Sequence, residues 1–243
     1  MSNLTLPTGK IAPSVVNPRT MVIFSQKKTG KTHALSELED NLIINFEHGA
    51  DFYESMRINI DSLQQFDELA KLFHKETPHY KFITLDTVTS LKEKLLNQLA
   101  VRTYNKDTGK SEAADFDIDR LEYGKGQVYK REALFKIMEF FTRFCDTLII
   151  VGHVSDKSIS TSGQTIKELN LEGKLKDLLA LRVDAIGYMY RNTEKPNVNM
   201  LSFIHSEEIV GGTRCKHLRN KEFEISELIN DDKLETHWDK IFI

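Results

Sequence analysis

A run of four apolar residues, MVIF (Met21–Phe24), leads directly into SQKKTGKT at 25–32, and HALSELE continues with helical character. Strand, polar Gly-Lys-Thr loop and helix, in that order, leave few folds open. In a loop of this kind backbone N–H groups converge on phosphate oxygens, a lysine bridges the outer phosphates and a hydroxyl ligates Mg²⁺. Gly30, Lys31 and Thr32 have the residue types required, and Ser25, Lys28, Thr29 and His33 complete the candidate cradle. One position departs from the pattern. Ser25 stands where such loops open on glycine, the residue that bends a backbone without a Cβ clash. Serine suits the position provided its φ stays negative. The competing explanation is a lysine-rich turn ahead of a helix.

The rest of the chain fits the α/β class that the loop requires. Short apolar runs of strand length fall at 20–25, 41–46, 81–86, 146–152 and 183–190. Continuous apolar runs of this kind are expected where helices cover both faces of a mainly parallel sheet. Between them, Leu63, Phe66, Leu69, Ala70 and Phe73 share one face of a helix over 62–75. Val128, Leu134, Ile137, Met138, Phe141 and Phe144 do the same over 125–144. The last third reads as two antiparallel strands around a turn at Gly211-Gly212. Two polar segments, 105–127 and 155–165, are predicted as loops, the first of them mobile. This organisation implies an N-terminal arm over 1–19, one core over 20–230 and a C-terminal tail over 231–243.

Composition narrows the function classes. Of 243 residues, 40% are apolar and 28% charged, the balance of a globular protein rather than a disordered one. Thirty-three basic against 36 acidic residues leave a formal charge of −3, which excludes nucleic-acid coating by bulk positive charge but not a local basic track. No window approaches the ~18 uninterrupted apolar residues of a membrane span. The N-terminus has no secretory pattern. The two cysteines, Cys145 and Cys215, sit in strand-like stretches and read as small core residues, so a disulfide or zinc framework is not expected and a cytoplasmic location fits best.

A working phosphate loop needs partners. FITLDT ends an apolar strand on Asp86, ~55 residues beyond the loop, where a carboxylate can hold the Mg²⁺ shell from the opposite side. Taken alone, an aspartate closing a strand is commonplace. Glu47, in NFEHGAD at the end of the intervening strand, is placed to orient and deprotonate water at the sheet's carboxyl edge. A solvated loop carboxylate is the alternative for Glu47.

With these residues in view the chain resembles the RecA-like ATPases over residues 20–225. INFEHGADFY looks like the stretch in which that family carries its catalytic glutamate, which makes Glu47 the base and brings Tyr53 near the adenine. LDTVTSL looks like the Walker B strand and the turn after it. LIIVGHVSDK puts His153 at the γ-phosphate sensor, where RecA has glutamine. TRCKHLRNKEF resembles the strand that carries two trans-acting cations, so Arg219 and Lys221 would reach a neighbour's ATP. A solvated basic strand is the plain alternative. No sizeable N-terminal polymerisation domain and no long C-terminal domain are expected, which likens the chain to the bacteriophage single-strand-annealing RecA-core recombinases.

The resemblance implies ATP and Mg²⁺ as cofactors, DNA-stimulated hydrolysis, and a homo-oligomer, ring or filament, with ATP between subunits. It also implies single-stranded DNA held by two loops, here 105–127 and 154–168. In the second, Lys157, Ser160, Thr161 and Lys167 suit sequence-independent phosphate contacts. The first has Arg120, Tyr123 and Lys125 but a net negative charge. The C-terminal HWDKIFI either packs on the core or docks a neighbour or a single-strand-binding protein. A hexameric motor and a nucleotide-gated mediator with little hydrolysis are the alternatives for function.

Overall fold

Strand β1 (Thr20–Ser25) is the axis of the molecule, and its alternate residues enter two different cores. Val22 and Phe24 pack on one face of the sheet, Met21 and Ile23 on the other. Burial on both faces is why the run is apolar throughout. The computed structural model describes residues 6, 8–158, 165–171, 173–230 and 233–243.

Among these residues the chain is α/β, built on a mainly parallel sheet with antiparallel strands at one side. The remaining strands are β2 (Asn41–Asn45), β3 (Arg57–Asn59), β4 (Tyr80–Asp86), β5 (Cys145–Ser158), β6 (Thr165–Leu169), β7 (Ala185–Arg191), β8 (Val198–Ser202), β9 (Gly212–Thr213), β10 (Glu222–Asn230) and β11 (Lys233–Thr236). The sheet runs β11-β10-β8-β7-β1-β5-β4-β2-β3. Every pairing from β7 to β3 is parallel. From β7 outward through β8 and β10 to β11 the pairing is antiparallel. Because β5 lies between β1 and β4, Ser25, His153 and Asp86 stand on neighbouring strands, together at one edge of the main sheet.

Helix α1 (Lys31–Ser36) packs on one face, with Ala34 and Leu35 against Trp238 and Ile241. The other face holds α2 (Leu63–Glu76), α3 (Val88–Leu91), α4 (Asn97–Thr108), α5 (Lys125–Phe141) and α6 (Leu175–Arg182). Ser62 caps α2 by accepting the Gln65 N–H, and the helix buries Phe66, Leu69 and Phe73. A π-helical turn at Lys92–Leu96 joins α3 to α4.

Three expectations change on contact with the structure, and one stretch that carried none proves helical. Residues 87–108, which carried no predicted helix, are almost wholly helical. Gly211-Gly212 is not the turn of a hairpin. β8 and β10 do pair, but a long irregular segment connects them, and Gly212 pairs with β7 instead. The glycine is needed for close approach: a Cβ on Gly211 would stand 2.7 Å from the Ile204 carbonyl oxygen. Segment 105–127 is tethered rather than free, since the Asn97 side chain donates to the Phe116 carbonyl (2.8 Å) and accepts the Ile118 N–H (3.3 Å), and Ile118 is fully buried. The described residues of the polar stretch after Gly152 form a two-stranded ribbon, in which β5 runs on past the main sheet and pairs antiparallel with β6.

Asn17, Pro18 and the C-terminal residues from Trp238 on belong to the same body. Asn17 exchanges two hydrogen bonds with Ile243, the Pro18 carbonyl accepts from Thr147, and Trp238 is buried against α1. No helix among the described residues is long and apolar enough to cross a membrane.

Candidate nucleotide site

β1 stays extended through Ser25, which is fully buried. Its φ is not positive, so serine meets the requirement there without strain. The hydroxyl has acquired a task. It accepts from the Lys31 ammonium at 2.7 Å and donates to the Gln26 carbonyl, also at 2.7 Å. Thr29 bonds the same carbonyl at 2.8 Å. The loop turns through Lys28 at φ 61° and Gly30 at φ 102°, the left-handed region that glycine adopts freely and lysine does not.

Lys31 is buried, and burial pushes its ammonium below the usual lysine range, with Asp86 and Glu47 opposing that shift. Asp86 closes β4 and is buried too. Burial raises its carboxyl, an effect that the bond from Thr32 partly counters. That bond, Thr32 Oγ1 to Asp86 Oδ2, is 2.7 Å long and spans 54 residues of sequence. A hydroxyl and a carboxylate oxygen converging at one point are the hard oxygen ligands Mg²⁺ takes, with water and phosphate completing its octahedron. The donor set therefore fits a magnesium-bound nucleotide.

Glu47 follows β2. Its carboxylate accepts from Ser90 Oγ at 2.7 Å, from Thr87 Oγ1 through a very short contact, and lies 3.1 Å and 3.2 Å from His153 Nε2. Burial acts to raise this carboxyl, but the bonds from His153, Thr87 and Ser90 outweigh it and bring the pKa down to about 2. The other imidazole nitrogen, His153 Nδ1, is buried without a partner among the described residues. Tyr53 stacks on His33, ring centroids 4.3 Å apart and planes 11° from parallel. Lys28, Thr29, Gly30, Lys31, Thr32, His33, Glu47, Tyr53, Asp86 and His153 thus line one open cavity of roughly 840 Å³ at the sheet's carboxyl edge.

Other predicted residues lie elsewhere. Arg219 and Lys221 are not in a strand but in the exposed turn before β10, and Arg219 reaches the Arg214 carbonyl at 3.4 Å. Lys221 lines a separate cavity with Arg19 and Asp184, at the opposite edge of the sheet. The Lys167 ammonium sits 5.8 Å from the centre of the Tyr188 ring, in a small cavity shared with Tyr190 and Glu222. Ser160, Thr161 and the side chain of Lys157 fall outside the described residues.

Four contributors were not predicted. Thr87 and Ser90 hold Glu47, and Thr87 also caps α3 by accepting the Ser90 N–H. A Thr-x-x-Ser pattern directly after Asp86 was a legible cap signal. Arg191 and Asn199 approach the phosphate loop from β7 and β8, and nothing in the sequence marks them.

Residues 17–215 match the family described as "AAA domain". The crystal structure of the RadB recombinase aligns with 91% of this chain and 92% of its own length, at a TM-score of 0.45 and 11% identity. No curated protein matches the chain.

Proposed function

Since the chain belongs to the AAA-domain family of P-loop ATPases, by a match over residues 17–215, we propose that it binds and hydrolyses ATP with Mg²⁺ at the 25–32 loop. One observation carries the proposal: Lys31, Thr32, Glu47, Asp86 and His153, from four separate elements, face a single cavity. In this reading Lys31 leaves Ser25 to meet the outer phosphates, while Thr32 and Asp86 hold the metal. Glu47 orients and deprotonates water, and His153 hydrogen-bonds the terminal phosphate. Tyr53 and His33 flank the base.

We extend the reading to a RecA-like recombinase that oligomerises on single-stranded DNA and promotes annealing or strand exchange in a phage setting. Arg219 and Lys221 would complete a neighbour's site, supplying charge to the transferred phosphoryl group. The β5–β6 ribbon, which carries Lys157 and Lys167, would hold the strand, with Ser160 and Thr161 assigned by sequence position alone. Support comes from β5 itself, because His153 and the ribbon share that strand. A shift of His153 towards a phosphate has a direct mechanical route to the ribbon.

A second reading has its own observation. Three hydrogen-bonded partners hold Glu47 at a pKa of about 2, which makes it a weak base until they release it. That favours a nucleotide-gated module with slow turnover. Glu47→Gln separates the two. If Glu47 is the base, hydrolysis falls at least ~100-fold while an ATP analogue still binds. Hydrolysis at the wild-type rate in this variant would remove Glu47 from the mechanism, and negligible turnover already in the wild type would select the gated module.

A further inference from the structure

The phosphate loop of this chain departs from glycine at Ser25 and places a lysine, Lys28, at φ 61°. Two adjacent residues of the antiparallel extension touch the loop. Arg191, at the end of β7, directs Nη2 to the Lys28 carbonyl at 3.5 Å. Its cross-strand partner on β8 is Asn199. The Asn199 side-chain nitrogen lies 3.2 Å from the point a Cβ on Gly30 would occupy, so the carboxamide fills the space beneath Gly30.

Asn199 is itself anchored. It is 8% exposed, and Nδ2 donates to Ser226 Oγ on β10 at 3.1 Å. Ser226 is fully buried, and the pairing of β10 with β8 shifts register between Glu224 and Ser226 beside this contact. The arrangement is poor for stability alone. Asn199 Oδ1 is buried without a partner among the described residues, a cost that an apolar side chain of similar size would avoid.

We propose that Asn199 is a positioning residue for nucleotide binding: anchored by Ser226, its carboxamide sets the height of Gly30 and ties the phosphate loop to the antiparallel half of the sheet. The inference rests on the nucleotide-binding reading above. Gly30 then has two reasons to be glycine, its left-handed φ and the close approach of Asn199. The β8–β10 pair becomes part of the loop's support rather than a peripheral addition.

The test uses the full chain with Asn199→Ala, Ser226→Ala and the double variant, titrated with a fluorescent ATP analogue and Mg²⁺. Thermal unfolding without nucleotide is measured in parallel. The expected result is about tenfold weaker analogue binding in Asn199→Ala, with the double variant no weaker than that single change, as two members of one contact require. The nucleotide-free unfolding midpoint should change little, because the unpaired Oδ1 is removed along with the Ser226 bond, and KM for ATP should rise more than kcat falls. A merely structural asparagine predicts the reverse: a lower midpoint and unchanged affinity in the folded protein, which would overturn the proposal. Should Asn199→Ala fail to fold, Ser226→Ala alone decides, by weakened or wild-type affinity. Failure of the wild type to bind the analogue would overturn the nucleotide reading and this inference together, whereas normal binding by every variant would remove only the inference.

Discussion

Ser25 holds the Lys31 ammonium at 2.7 Å in a site where burial already disfavours the charge. Phosphate oxygens would have to take over that contact when nucleotide enters. Ser25→Gly removes it beforehand and adds backbone freedom to the unfolded chain. The variant should lose about 2 kcal/mol of stability, the worth of a buried hydrogen bond to a charged group, in urea unfolding without nucleotide. It should also bind an ATP analogue several-fold more tightly, since its free state loses less on releasing Lys31. Equal affinity with equal stability would show that the Ser25 contact is idle. Some of this chemistry was legible: the loop residues, Asp86 and Glu47 follow from types and spacing. The task of the Ser25 hydroxyl was not, because it depends on which way the Lys31 chain folds back.

β1, β2 and β4 were readable as apolar runs because each is buried on both faces. The helical stretch 87–108 escaped although Leu91, Leu95, Ala100, Val101 and Tyr104 are all buried. The π-helical turn at Lys92–Leu96 shifts the apolar stripe partway along, so no single 3.6-residue period spans the segment. For the tail, packing on the core was one of two readings left open, and the buried Trp238 and Ile241 match that one. Trp238 is buried and donates its indole N–H to the Ala34 carbonyl at 2.8 Å, bracing the helix that begins with Lys31 and Thr32. Trp238→Ala should therefore cost about 3–5 kcal/mol in denaturant unfolding. A surface docking tail would lose almost nothing, so a change below about 0.5 kcal/mol would refute the packed role.

In one subunit the cations Arg219 and Lys221 do not line the cavity that holds Lys31 and Glu47. Their proposed task therefore requires a neighbour. Light scattering on the eluted protein should show a larger assembly with ATP analogue and oligonucleotide together than with neither. Reversal of Arg219 and Lys221 to glutamate should weaken both that assembly and hydrolysis, while leaving each subunit's own nucleotide binding within about twofold, as expected for exposed side chains remote from the pocket. A chain that remains monomeric under every condition would end the shared-site account and leave the nucleotide site of the single subunit standing.

Consecutive residues were enough to establish an α/β chain with a strand–loop–helix phosphate motif, because apolar periodicity and glycine-lysine-threonine chemistry act over a few residues. Long-range pairing decided the rest. Glu47 and His153 are 106 residues apart and meet only because β2, β4 and β5 are parallel neighbours that end on one edge. Asn199 reaches Gly30 only because the antiparallel half of the sheet is laid beside β1 through β7. Strand order is set by the packed whole, and no local spacing records it.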